Sequence, residues 1–201
     1  MRSIKSINRS DMTDIALGGA FLGTGGGGDP YIGRLMAEQA IDNHGPVEVI
    51  DVESLSDDAL VIPVCMMGAP TVMLEKLPQG DEAINALRSL EAVLGRKADA
   101  LFCIEAGGLN STIPIAVAAT AGLPIVDGDG MGRAFPELQM VSMTMFDIHA
   151  CPMAMADEKG NALVLNTVDN LSTEKFARVI TVEMGGAGLI APVSYTHLTL
   201  P

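Results

Sequence analysis

Hydrophobic and polar positions change period several times along the chain. Over 81–95, DEAINALRSLEAVLG, the apolar residues Ile84, Leu87, Leu90 and Leu94 recur at helical spacing, and Gly95 stands where a helix would end. Residues 10–22, SDMTDIALGGAFL, offer Ser10 and Asp11 as caps and predict a second helix, weakened by Gly18 and Gly19. Asp29-Pro30 reads as a cap with proline at the first helical position, opening a helix that runs to about Gly45. NSTIPIAVAATAG (110–122) predicts a helix capped by Asn110 or Ser111, and STEKFARVITVEMGG (172–186) one capped by Ser172 or Thr173. Apolar runs at 47–52, 59–68, 99–107 and 123–130 predict strands. After about residue 138, apolar and small residues alternate around Glu158-Lys159-Gly160-Asn161, which predicts a β-hairpin over 151–168. The expected fold class is therefore α/β, with helices layered around a mixed, partly parallel sheet and a hairpin-containing C-terminal part.

Composition narrows the function classes. The 201 residues suffice for one domain with a substantial core, and 48% hydrophobic content excludes a disordered chain. A net charge of −13 argues against a nucleic-acid partner, because a phosphate backbone repels an acidic surface. The longest apolar stretch, 113–126, holds two prolines and is too short to cross a bilayer, so no membrane partner is expected. Cys65, Cys103 and Cys151 sit singly with no CxxC spacing, which predicts small buried hydrophobes in a reducing, cytoplasmic setting; Cys65, at a strand end, is the best candidate for a free thiol. The final SYTHLTLP (194–201) breaks the Gly/Ala-rich character before it and resembles a translated sequencing-adapter tail. Residues 1–193 are thus expected to form the domain, and His197 in the tail carries no functional argument.

The most unusual stretch is FLGTGGGGDP (21–30). Glycine is entropically costly, so a run of four needs a reason. Gly23 to Gly28 satisfies G-x-G-x-x-G, and Asp51 follows at a strand end, as a dinucleotide site requires. The context disagrees: the glycines follow a helical pattern rather than a strand, and Asp29 would compete with a pyrophosphate for the helix N-terminus. No Lys-Ser/Thr follows, so a P-loop fails. The alternatives are a tight helix-to-helix turn or a bare-backbone pocket in which Gly25, Gly26, Gly27 and Gly28, with Asp29, face a ligand.

Acidic strand ends supply the candidate chemistry. Asp127 and Asp129 alternate on a strand and are candidate catalytic groups, as is Glu105 in EAGGLNS, where Asn110 is a candidate substrate ligand. Arg133 and Glu137 stand one helical turn apart, able to pair or to bind substrate. Asp147, His149 and Cys151 would share a face if they lay on a strand, which nominates His149, with Asp129, for a divalent metal; whether any cofactor is used stays open.

LGTGGGGDPY, the block GGLNS through GLPIVDGDGMGRAFPELQM, and RVITVEMGG together resemble the S-methyl thiohydantoin desulfurase family over about residues 8–192. The resemblance implies an N-terminal α/β domain normally followed by a β-rich second domain, which this chain would lack by truncation. It implies hydrolytic removal of sulfur from a small cyclic thioimide or imide, in association with hydantoinase/oxoprolinase-type enzymes, and a homo-oligomer. Water adding at the ring carbon would make a tetrahedral anion, which Gly25–Gly28 amides would stabilise while Asp127, Asp129 or a metal-bound hydroxide activates the water and Arg133 holds a substrate carboxylate. The alternatives are a non-catalytic subunit of such an enzyme and, less favoured, an NAD(P)-dependent oxidoreductase.

Overall fold

The computed structural model describes residues 4–24, 26–69, 71–76 and 78–193. The described residues form two sheets. The first has five strands in the order β1 (Ser6–Ile7), β2 (Val47–Ile50), β6 (Ile125–Asp129), β5 (Ala100–Cys103), β3 (Val61–Pro63). Only β1 is antiparallel in it; β2, β6, β5 and β3 run parallel. The second sheet is antiparallel, in the order β4 (Cys65–Gly68), β9 (Ala187–Pro192), β7 (Met153–Ala156), β8 (Ala162–Leu165).

Helices cover these sheets. They are α1 (Met12–Gly23), α2 (Pro30–His44), the single turn α3 (Val72–Glu75), α4 (Glu82–Leu94), α5 (Ile113–Ala121) and α6 (Asn170–Glu183). Parallel neighbours need a crossover: β3 reaches β5 by way of β4, α3 and α4, while α5 joins β5 to β6. Both faces of the parallel sheet are buried, which explains its unbroken apolar runs. Ile62, Leu101 and Ile125 face the main core with Leu87, Leu90 and Ile113. Val61, Ala100, Phe102 and Val126 face a smaller cluster closed by Val52 and Leu55. Helix α5 is buried continuously from Ile113 to Ala119, as a helix apolar all round should be.

The predicted strand 59–68 is two strands in different sheets. The chain leaves the parallel edge at Pro63, passes the buried Val64, and starts the antiparallel edge at Cys65. Nothing local marks this step, because both strands are apolar on both faces. The hairpin forms as predicted, and Asp157 fixes its turn by accepting from Lys159 N and Asn161 N at 3.0 and 2.8 Å. Helix α6 begins earlier than expected, capped by Asp169, whose carboxylate accepts from Ser172 N at 2.7 Å. The tail 194–201 lies outside the described residues. No helix among the described residues is long and apolar enough to cross a membrane.

Candidate functional site

Helix α1 ends where its glycines begin. Thr24 turns left-handed (φ 45°) and Gly26 N–H closes back on Gly23 O at 2.7 Å. Gly27 has φ 76°, and its carbonyl accepts from Leu109 N at 2.8 Å. A Cβ on Gly27 would lie 2.9 Å from the backbone C and O of Gly107, and one on Gly108 would lie 2.2 Å from Gly27 O. The run is thus a place where two backbones touch, after β5 on one side and after α1 on the other. Asp29 then caps α2, accepting from Tyr31 N at 2.9 Å with Pro30 at the first position; its carboxylate is committed to the helix.

This contact forms one wall of a cleft of about 420 Å³. Gly23, Thr24, Gly26 and Gly27 line it, opposite Cys65–Gly68 of β4, with Arg133–Leu138 and Arg178 of α6 at the sides. It opens beyond the C-terminal end of β5, where ligands of open α/β sheets bind. Glu105 lies in its floor, 4% exposed. One carboxylate oxygen accepts from Phe135 N at 2.9 Å and the other from Asn110 Nδ2 at 2.8 Å. Burial pushes the Glu105 carboxyl above its ordinary range; those two hydrogen bonds oppose the shift and the charge of Asp129 adds to it. A buried carboxyl of this kind can exchange a proton nearer neutrality than a surface glutamate does.

Two guanidiniums face the same space. Arg133 is exposed and, among the described residues, pairs with no carboxylate; its Nε donates to Ala134 O at 3.1 Å. Arg178 is held by Glu174 and donates to Pro136 O at 3.1 Å, while Glu174 also accepts from Leu138 N at 2.9 Å. The segment 135–138 is thereby pinned to the cleft by Glu105 on one side and by α6 on the other. Cys65 is buried beside Glu105, and burial, with the Glu105 and Cys103 charges, pushes its thiol well up, so it rests as a thiol.

A family model described as S-Me-THD-like, N-terminal domain, matches residues 10–167. The chain belongs to that family. The match spans the glycine run, Glu105, Asn110 and the 133–138 wall, so every side of the cleft except Arg178 and Ile190 lies within it. Among solved structures, a crystal structure of a protein from Chromobacterium violaceum is similar at 26% identity and a TM-score of 0.77, over 96% of this chain and 56% of that one. The chain therefore spans little more than half the length of that protein. Curated proteins give no match.

In this S-Me-THD-like domain the nominated residues divide. Gly26, Gly27, Glu105, Asn110, Arg133 and Glu137 come together in the cleft. Gly25 lies outside the described residues. Gly28 does not line the cleft. Asp127 and Asp129 line a separate cavity of about 240 Å³ with Phe102, Val126 and Phe146. Asp129 accepts there from Met131 N (2.9 Å) and Gly132 N, an ordinary Asp-Gly turn. Of the two alternatives for Arg133 and Glu137, the pair is absent from the described ion pairs, because 133–137 is a bent loop rather than a helix; Glu137 accepts from Gln139 Nε2 instead. Asp147, His149 and Cys151 do not lie on a strand, so the condition for their sharing a face is not met. Asp147 closes a 3-10 turn in a left-handed conformation, 98% exposed, with His149 Nε2 3.5 Å from it. Cys151 accepts from Thr167 N at 2.9 Å, away from both. Among the described residues, no group of three His, Cys, Asp or Glu side chains is placed to hold a metal, and His149 and Asp129 line different cavities.

Sequence reasoning missed Arg178 and, in the β4 wall, Met66, Met67 and Gly68. The Glu174/Arg178 spacing is a one-turn ion pair of the kind found on any exposed helix.

Proposed function

We propose that this domain supplies the ring-binding and proton-transfer cleft of a hydrolase acting on a small cyclic thioimide or imide, S-methyl thiohydantoin or a close relative. The observation that carries the reading is Glu105: a buried, hydrogen-bonded carboxyl in the floor of a cleft of small-molecule size, in a chain of the S-Me-THD-like family. Glu105 takes a proton from water as its oxygen bonds to the ring carbon that bears sulfur. The carbon–sulfur bond then breaks, Glu105 returns the proton to the departing thiolate, and the remaining hydroxyl proton passes to the ring nitrogen, leaving a ring carbonyl and a free thiol. Arg133 and Arg178 offset the charge that develops on the ring or hold a substrate carboxylate. Gly26 N–H is already spent on Gly23 O, which leaves Gly27, whose N–H meets no acceptor among the described residues, as the amide available to an anion. Glycine at 27 serves packing first and ligand second.

The test is thiol release from S-methyl thiohydantoin and other S-alkyl thiohydantoins, with this chain and with the longer Chromobacterium violaceum protein. Release that disappears in Glu105→Gln supports the reading. No release from either protein, with one of them co-purifying with a hydantoinase-type enzyme, would favour a non-catalytic subunit.

A further inference from the structure

Strand β4 is the edge of the antiparallel sheet, so one side of its backbone has no strand beside it. At Met66, buried on that edge, the partner is a side chain. Asn110 Oδ1 accepts from Met66 N at 2.7 Å, and Asn110 Nδ2 donates to Met66 O at 3.2 Å. This pair of hydrogen bonds to the backbone fixes the amide. Which end of an asparagine is nitrogen is often free to change, but here Met66 offers a donor at one end and an acceptor at the other, and only one orientation satisfies both. The second Nδ2 hydrogen then points one way, to Glu105 Oε1 at 2.8 Å.

We propose that Asn110 is a positioning residue rather than a substrate ligand: it uses the backbone of β4 as a fixed anchor from which one N–H orients the Glu105 carboxylate and favours its ionised form in the cleft. Both Asn110 donors are consumed, so none is left for substrate. The polar and charged groups around Glu105 are Asn110 from the turn after β5, Phe135 N from the 130s loop, Cys65 from β4, Asp129 at the end of β6, and Arg133, Glu137 and Arg178 along the cleft. Of these, Asn110 is the side chain that donates a hydrogen bond to Glu105, and it does so from a seat 5% exposed. The catalytic half of this inference rests on the proposed hydrolase reading; the orienting half does not.

The experiment separates the two. In the 15N-labelled wild-type chain, the side-chain amide of Asn110 should titrate together with Glu105, and Glu105→Gln should abolish that titration; an Asn110 amide signal flat with pH overturns the proposal whether or not any substrate is turned over. Asn110→Asp replaces the inward N–H by an acceptor and sets two carboxylates together, so the infrared carboxyl band that Glu105→Gln removes should persist to higher pH than in wild type. Asn110→Ala should move it the same way by less. Where turnover is measurable, the Glu105-dependent limb of the pH–rate profile should move upward by the same amount. Folded variants whose Glu105 titrates as in wild type would make Asn110 an edge cap only. Absence of turnover with the amide still following Glu105 would sink the hydrolase reading and leave the orienting role standing.

Discussion

Glu105 and Asp129 stand at the ends of neighbouring parallel strands, two residues beyond Cys103 in one case and directly opposite Cys103 in the other. They meet different fates. The chain after Glu105 turns through Gly107–Gly108 against the glycine run and closes over the carboxyl, which keeps two hydrogen bonds but loses water. The chain after Asp129 turns outward, and its carboxylate spends one oxygen on the amides of its own turn while remaining half-buried. What distinguishes the two carboxylates is the partner set: the Asn110 side-chain amide and the distant Phe135 N–H for Glu105, amides two and three residues ahead for Asp129. A strand-end acid bonded to its own turn is already employed.

The largest expected effect tests the buried member. Glu105→Gln should lower kcat/KM for thiohydantoin hydrolysis by about 10²–10⁴-fold, with helix content unchanged by circular dichroism. A loss confined to KM would recast Glu105 as a binding group.

The next effect concerns what closes the chain over Glu105. Gly27→Ala must adopt φ near 76° and place a Cβ 2.9 Å from the Gly107 backbone, so it should cost about 1–3 kcal/mol in chemical denaturation. Gly26→Ala meets Ala134 Cβ at 3.1 Å and Gly23 O at 3.2 Å without a left-handed φ, and should cost less. Equal stabilities for the two would mean that the Gly27–Gly107 contact is not what fixes the loop.

How much of this was legible follows from where the information lies. Asp29-Pro30, the leucine spacing of α4 and the turn at 158–161 are local signals, and they were read correctly because capping, periodicity and turn chemistry act within a few residues. Four glycines announced a close approach but not its partner, since Gly107–Gly108 is brought there by β5 and α5 packing. The split at Val64 and the placing of β9 between β4 and β7 are decided by which sheet has a vacant edge. GLIAP, after two glycines, carries only a weak strand signal of its own. The same limit hid the separation of Glu105 from Asp129: both look alike as acid–glycine strand ends, and only the downstream path of each chain divides them.

The pH dependence of stability gives a smaller but signed effect. Burial holds Glu105 above its ordinary pKa, so its contribution to folding is present below that ordinary value and is lost as pH rises through the raised one. The melting temperature of Glu105→Gln relative to wild type should therefore climb as pH rises across that range. At Asp157 burial also acts upward, but the bonds from Asn161 and Lys159 outweigh it and the net shift is downward. Its contribution is present above the ordinary aspartate pKa and is lost as pH falls through the lowered one, so the deficit of Asp157→Asn should shrink on acidification. Two variants moving the same way with pH would contradict the assignment of opposite environments.

The smallest effect is expected at the other member of the pair. In Asp129→Asn the retained Oδ1 can still accept from Met131 and Gly132, so the turn survives, and stability should stay within about 0.5 kcal/mol of wild type. Turnover should stay within about threefold, because Asp129 lines the cavity with Phe102 and Phe146 rather than the cleft. One property should nevertheless move. The charge of Asp129 is among the causes that raise Glu105, and removing it should bring the Glu105 titration down, visible in the carboxyl infrared band or the pH–rate profile. A neutral variant with a downward-shifted Glu105 fits an acid that acts on the cleft only through its field. A folded Asp129→Asn protein that loses two orders of magnitude in turnover would place Asp129 in the chemistry and erase the distinction between the two strand ends.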